Sequence, residues 1–532
     1  MKQTLSLAIA LDLNHCPHWQ YSILMQIQQD DRLKISYLIH TPNTLVPEVG
    51  GLWQWHLALD QKRFLKGEDA QATRDVQTLL AGVPQLDWAE CKGAAPLRDH
   101  QAALLLWWSE AKIPNDWYAY FPCGIWFYLH GDHQATSAKL LGYWEFMKME
   151  EVISSALVIR RRAEEGGQMV QRSWSMMPSL AIAQAKNEHL WKIQAFVHRS
   201  LEQLLQLGQE AFFKHLYQEK KPLNGQLKQQ AKAPHYWEAL LNLGRHGSRL
   251  AHKVWRKLQS REQWILLLHL GQSPSTKFGQ FKKILPPKDR FWADPFLIEQ
   301  AGQHYLFFEE LLYATDKGHI CVMEIDEEGK HSDPIRILEK DYHLSYPFVF
   351  EYQEQYYLIP ESYQSGRIEL YECTRFPDQW QHKMNLMENL CAMDTTLIEY
   401  QGKWWLFSAI TAHRSASHHD ELCLFYADHP LSQEWTPHPQ NPIVSDVRSA
   451  RPAGNIYWSD GKLIRPSQDC ARKYGFGFRL NEIEILNETE YREKCILHVR
   501  PDWDPSLRRT HTYVHQPGMT LIDGLIQRNK WW

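Results

Sequence analysis

The 532-residue chain lacks a dominant charge: 58 Lys and Arg stand against 62 Asp and Glu, a formal charge of −4. That balance excludes nucleic acid as an obligate partner. No apolar run approaches the roughly 18 residues that cross a bilayer, so no spanning helix is expected. Cysteine is sparse: the 9 residues are scattered and none forms a C-x-x-C pair. Such a set argues for reduced thiols in the cytoplasm and against a disulfide framework or a zinc site. The apolar opening stretch is interrupted by Asp12, has no clear cleavage site, and reads as a first strand. No G-x-G-x-x-G follows it, so a dinucleotide site is not supported. With 44% apolar and 23% charged residues, disorder and collagen-like repetition are excluded as well. What the chain has in quantity is aromatic side chains, 23 Trp, 23 Tyr and 20 Phe. These suit either sugar stacking or aromatic-rich β-structure.

The pattern changes near residue 270. Before it, strand-like 5–11, 33–39, 104–108 and 124–129 alternate with helical spacing, as over 19–29, and long helical stretches are expected after them. This alternation predicts an α/β fold with a mostly parallel sheet over residues 1–218. A helical stretch spans 189–218. A polar linker and a basic amphipathic helix (236–259) fill 219–263. That helix either makes a peripheral contact with an anionic membrane surface or docks between domains with a solvated basic face.

Residues 264–532 repeat themselves. Asp294-Pro295-Phe296-Leu297-Ile298-Glu299 runs on to Tyr305 and Glu309, and Tyr346-Pro347-Phe348-Val349-Phe350-Glu351 to Tyr357 and Glu361, at the same offsets. A third copy opens at Asp394, a looser fourth at Arg451 and a fifth near His511. Each is an alternating hairpin, and copies roughly 50–60 residues apart describe a five-bladed β-propeller. Residues at the strand starts then converge on one axial funnel: Asp294, Tyr346, Asp394, Arg451 and His511. The second strands end at Glu309, Glu310, Glu361 and the stretch from Arg465 to Asp469. Glycosidic chemistry needs two carboxyls, one of them holding a proton near neutrality. Asp294 is the candidate base or nucleophile, and Glu361, with Glu310 behind it, the candidate acid. Arg451, Arg465 and His511 either hold a phosphate or uronate or brace the channel. Trp292, Tyr346, Gln468 and Asp469 complete the binding candidates. The irregularly spaced His413, His418, His419 and Asp420 do not form a metal site.

Phe291-Trp292-Ala293-Asp294-Pro295 and Asp394 resemble the arabinanase, invertase and levansucrase superfamily of five-bladed propellers. That resemblance implies a general base at Asp294 and a pKa-tuning role at Asp394. The fourth blade departs from it, because Arg451-Pro452 stands where an acid is expected. Trp292-Ala293-Asp294-Pro295, Pro360-Glu361, Arg451-Pro452-Ala453-Gly454, Arg465-Pro466-Ser467-Gln468-Asp469, Tyr474-Gly475 and Thr510-His511-Thr512-Tyr513 together resemble the N-terminal propeller of plant glucosamine inositolphosphorylceramide transferases. In those proteins glycosyl transfer is assigned to a separate domain.

The first half, with Tyr128-Leu129-His130-Gly131-Asp132, then Trp144, then Glu164-Glu165-Gly166-Gly167, resembles a degenerate formyltransferase-like, Rossmann-like domain. The resemblance implies an oxyanion-stabilising site at His130, Asp132 and Glu165. Tyr128 replaces the Asn of the pattern and no Asp precedes the glycines, so formyltetrahydrofolate is not the expected cofactor. The sequence therefore describes a cytoplasmic, carbohydrate-active protein of surface-glycan biosynthesis, peripheral at the inner membrane if the basic helix binds there. Its substrate is a glycan or nucleotide sugar, and glycosyl transfer and glycosidic hydrolysis both remain open. The alternatives are a formyltetrahydrofolate-dependent N-formyltransferase acting on an amino sugar and a non-catalytic glycan-binding scaffold.

Overall fold

The computed structural model describes residues 4–41, 51–91, 95–131, 138, 141–178, 181–219, 237, 240–241, 244–245, 247–249, 251, 255 and 259–529. Two compact units share them: Met1–Arg249 with Ala412–Ser417, and Leu250–Thr411 with His418–Trp532. Asp132, residues 220–236 and most of the basic segment 236–259 lie outside the described residues. No helix among the described residues is long and apolar enough to cross a membrane.

The first unit is built on one seven-stranded sheet. Its spatial order is Gln85–Asp87, Leu33–His40, Leu5–Leu11, Leu104–Trp107, Ile125–His130, Val152–Arg160 and Gln168–Met176. The first five strands are parallel and run 3-2-1-4-5 in chain order, a doubly wound arrangement. Both faces are covered, which explains the unbroken apolar runs of these strands. Leu7, Ile9 and Leu11 pack with Trp19, Ile23 and Leu24 on one side. Ala8 and Ala10 pack with Trp117 and Phe121 on the other.

Two features differ from expectation. The last two strands form an antiparallel hairpin where helical chain was expected, so the sheet is mixed. Ile153 to Ile159 is buried without a break, and such a run carries no period that separates a strand from a buried helix. The expected single helical stretch is three helices, Ile182–Ile193, Ala195–Leu207 and Gln209–Glu219. The sheet order by itself identifies no chemistry.

The second unit is a five-bladed propeller of separate antiparallel sheets. Blade one is Arg290–Gln300, Gln303–Leu312, Lys317–Ile325 and Ile335–Leu338. Blade two is Ser345–Tyr352, Gln355–Glu361, Arg367–Arg375 and Gln379–Glu388. Blade three is Ala392–Tyr400, Lys403–Ile410 and Glu421–Ala427 with two short edge strands. Blade four is Tyr457–Ser459, Lys462–Asp469, Gly477–Leu486 and Tyr491–Val499. The fifth blade joins the two ends of the unit. Its inner strands are Leu507–Arg509 and Tyr513–Gln516, both paired to Met519–Asn529. That strand pairs along its whole length with Ser260–Leu270, which precedes blade one and in turn holds Lys282–Ile284.

The inner strands of blades one, two and three break their ladders at the same place. Pairing skips from Ala293↔Glu309 to Phe296↔Phe307, from Ser345↔Glu361 to Phe348↔Ile359, and from Met393↔Ala409 to Thr396↔Phe407. Such bulges re-aim a side chain. The residues inside them, Asp294, Tyr346 and Asp394, have φ of 50°, 44° and 53°. Left-handed backbone is tolerable for Asp but costly for Tyr. It persists only where the surroundings over-determine it.

Candidate functional site

These three bulges, with residues from blades four and five, bring one group of side chains from all five blades together. Asp394 of blade three is held by Arg451, which precedes the inner strand of blade four. Arg451 Nε donates to Asp394 Oδ2 at 2.5 Å and Nη2 to Oδ1 at 3.1 Å. The same Nη2 donates to Glu361 Oε2 of blade two at 2.8 Å. Nη1 donates to His419 Nδ1 at 3.0 Å, and the guanidinium lies 4.9 Å from the Tyr474 ring centre. Gln468 Nε2 adds a further donor to Asp394 Oδ2 at 2.8 Å. On the other side, Asp294 of blade one accepts from Thr512 Oγ1 at 2.8 Å and faces His511 Nε2 of blade five at 3.6 Å. His511 stacks on Trp264 at 4.2 Å, and its Nδ1 is paired to Asp523.

Protonation follows from burial and neighbours. Asp294 is 2% exposed. Burial, offset by His511 and reinforced by Glu309, Asp394 and Asp523, raises its pKa to about 7. Burial also lifts Glu361 well above the carboxylate range; Arg451 opposes this, while the charge of Asp394 and a hydrogen bond shared with it favour the proton. For His511, burial alone would lower the pKa, but Asp523 and Asp294 outweigh it and raise the value to about 9. The group thus holds two carboxyls able to carry a proton near neutrality, a fixed Arg–carboxylate pair and an imidazolium.

Tyr346 closes the base of the group. Its hydroxyl accepts from Gly454 N at 2.8 Å and bonds Thr396 Oγ1 at 2.9 Å. Gly454 has φ 136°, and a Cβ there would lie 2.1 Å from the Tyr513 carbonyl oxygen. Only glycine fits this approach.

Of the residues singled out from sequence, Asp294, Tyr346, Glu361, Asp394, Arg451, Gln468 and His511 are brought together. Four are not. Glu310 faces the other side of its strand, where Arg290, Trp292 Nε1 and His319 hold it. Trp292 is committed to that same contact. Arg465 donates to Glu493 and to the Ser449 carbonyl. Asp469 is bound by His498 and the Ala471 amide. Strand alternation explains the first case: Glu309, not Glu310, has the register of Glu361. The repeat offset already pointed to Glu309.

Asp523 is a member of the group that no motif marked. Arg451 and His511, candidates for holding a phosphate or uronate, spend the donors described here on carboxylates and His419 inside the group. Asp294, His511 and Asp523 could offer one ligand atom each to an ion, as could Glu310, His319 and Cys321. In the first set a protonated imidazole already fills that place. In the second, Glu310 is neutralised by Arg290.

In the first unit, His130 Nδ1 bonds Ser155 Oγ at 2.7 Å, Ser155 Oγ bonds His189 Nε2 at 2.8 Å, and His189 Nδ1 bonds Ser175 Oγ at 2.7 Å. Burial, with Lys186 second, lowers the pKa of His130 to about 3. Tyr128 donates to the Ile193 carbonyl at 2.8 Å. Glu165 does not join His130. Ser155 pairs with His130 and Arg160 with Ile125, so the turn bearing Glu165 lies beyond the opposite end of that strand. There Glu165 accepts from the Tyr217 hydroxyl at 3.2 Å.

Residues 284–503 match the family model described as glucosamine inositolphosphorylceramide transferase 1, N-terminal. The protein of that name from Oryza sativa subsp. japonica is 37% identical over 206 residues, which is 38% of this chain and 27% of that one. The Arabidopsis thaliana protein is 38% identical over 207 residues, again 38% and 27%. The chain thus spans about a quarter of the length of these relatives. Among solved structures, a family 117 glycoside hydrolase from Zobellia galactanivorans has 12% identity and a TM-score of 0.33 over 50% of this chain and 90% of that one. The catalytic domain of the Coprinopsis cinerea GH62 α-L-arabinofuranosidase has 13% identity and a TM-score of 0.36 over 50% and 98%. Over residues 284–503 the propeller is thus similar to the N-terminal part of the glucosamine inositolphosphorylceramide transferases.

Proposed function

We propose that the propeller unit binds a glycan or sugar donor where its five blades meet, and that Asp294 and Glu361 carry glycosidic-bond chemistry there. The observation that carries this reading is the meeting of side chains from all five blades around two carboxyls whose proton affinities are raised by burial. Glu361 keeps its proton near neutrality and serves as the acid toward a departing sugar oxygen. Asp294 ionises near pH 7 and serves as base or nucleophile. Asp394, fixed by Arg451 and Gln468, holds the acid in place and raises its proton affinity. The relatives' name specifies a sugar and a transfer reaction, which supports a glycosyl-transfer-related role in glycan assembly.

The test uses the whole chain with a panel of nucleotide sugars and aryl glycosides. Asp294→Asn and Glu361→Gln should each reduce turnover by about 10²–10⁴-fold, with sugar affinity by calorimetry retained. Turnover unchanged in both variants would end the reading.

A further inference from the structure

We infer that Asp523 is a positioning residue for Asp294, acting through the His511 ring that lies between them; this rests on the reading of Asp294 given above. The geometry is specific. Asp523 is fully buried, and four donors converge on its carboxylate. The amides of His511 and Thr512 donate to Oδ1 at 2.8 and 3.1 Å. The amide of Asp294 approaches Oδ2 at 3.4 Å, and His511 Nδ1 pairs with the same oxygen. One carboxylate therefore ties His511 and Thr512, just ahead of the Tyr513–Gln516 strand of blade five, to the left-handed turn of blade one. It fixes the backbone that aims Asp294 as well as the ring that faces it. With both lone-pair regions of each oxygen engaged, no further partner is needed.

The ring's orientation is set from all sides. Trp264 stacks on one face and Tyr474 meets it edge-on at 5.3 Å. A Cβ at Gly475 would lie 2.9 Å from His511 Cδ2, so the chain passes close there as well. The ring cannot turn away, and its Nε2 stays directed at Asp294 Oδ1. The charged and titratable groups acting on this pair are Asp523, Asp394, Glu309, Glu361, His343, Tyr346 and Tyr474. The His511 imidazolium is the largest charged influence on Asp294, with the His343 ring, paired to Glu309, a second and weaker one. Removing the charge of Asp523 should release the His511 proton; the loss of that imidazolium outweighs the loss of Asp523's own repulsion, so Asp294 would bind its proton more tightly.

Asp523→Asn keeps the shape and an oxygen for the two amides but removes the charge. Two measurements on the full-length protein test the inference. In the histidine NMR titration, wild-type His511 should keep its proton to about pH 9. In Asp523→Asn it should lose the proton below its ordinary value near 6.5. In the pH–rate profile, the acidic limb should move up by about one unit, roughly a tenfold loss at the foot of the limb. His511→Gln should move it the same way. A His511 that titrates normally in the wild type, or stays protonated in Asp523→Asn, overturns the inference. So does a uniform rate loss with an unmoved profile, which marks a purely structural residue. If the wild type turns over no glycoside, the proposed function fails, while the NMR titration still decides the inference.

Discussion

Asp294 and Asp394 occupy the same register position two blades apart, with matching backbone angles of φ 50° and 53°, yet their side chains meet opposite environments. Asp394 receives an Arg fork and a Gln amide. Asp294 receives a hydroxyl and an imidazole further away. Identical local geometry thus delivers two carboxyls with different tasks, and the difference is supplied by blades four and five.

Arg451 is the strongest single determinant of that asymmetry. It is 5% exposed and pairs with two buried carboxyls. Arg451→Met should cost about 3–5 kcal/mol, because an uncompensated buried charge is left behind. Arg451→Lys should recover only part of this, since an ammonium cannot span both acids as the planar fork does. Urea unfolding of the three proteins measures it. A cost below about 1 kcal/mol for Met would show that both acids simply protonate.

Stability should fall as pH rises, through three buried groups whose folded pKa is raised: Glu361, which holds its proton well above the carboxylate range, Asp294 and His511. Asp294 binds its proton up to about pH 7 in the folded chain but only to about 3.9 when unfolded. Between those values folding takes up a proton, and stability declines with pH. His511 extends the decline from about pH 6.5 to about 9, since its folded pKa is also raised. Its stabilising contribution is complete below 6.5 and lost above 9, about 3 kcal/mol in all. Denaturant midpoints from pH 4 to 9.5 should show the fall. Asp294→Asn should lessen the slope of the lower half, leaving the part due to Glu361, and His511→Gln should lessen that of the upper half.

The propeller was legible because each blade repeats its offsets locally. Pro295 and Pro347 precede acids and aromatics at the same spacing, and that spacing reflects hairpin register. The closure of the ring was not legible in the same way. Ser260–Leu270 pairs with Met519–Asn529 across about half the chain, and no local pattern links them. The choice of Glu310 over Glu309 ignored strand alternation, although the offset itself was correct. Asp523 escaped notice because three of its four donors are backbone amides, of His511, Thr512 and Asp294, which no side-chain motif encodes. In the first unit the unbroken burial of Ile153 to Ile159 hid a strand within what resembled helical chain.

Ring closure makes its own prediction. A chain beginning at residue 272 would lack Ser260–Leu270 and leave Met519–Asn529 as an open edge with an apolar face. Such a chain should be insoluble, or should associate by strand exchange, under conditions that keep the full chain monodisperse. Supplying a synthetic 258–271 peptide should restore solubility. Light scattering with and without the peptide tests this, and a monodisperse truncated chain would show that blade five closes without it.

Gly454 should tolerate no side chain. Its φ of 136° and the 2.1 Å gap to the Tyr513 carbonyl oxygen force either blade four or blade five to move when a methyl group is added. The same glycine amide is held by Tyr346, whose left-handed backbone depends on that anchor. Gly454→Ala should therefore cost more than Tyr346→Phe. The latter leaves one buried amide unsatisfied, at about 1–3 kcal/mol. If the two costs are equal, the strain is carried by the hydroxyl alone and not by the approach of the backbones.

The histidine chain of the first unit should respond to one atom. Ser155 Oγ is shared by His130 and His189, and both rings are kept neutral by burial. Ser155→Ala removes both bonds and leaves two buried ring nitrogens without a partner, each costing about 1–3 kcal/mol. Ser175→Ala removes only the outer bond and should cost about half as much. Neither variant should change the pH dependence of stability between 5 and 8, because neither ring titrates there. A new pH dependence in Ser155→Ala would mean that a freed ring has gained a proton, and that the hydroxyl, not burial, had been holding it neutral.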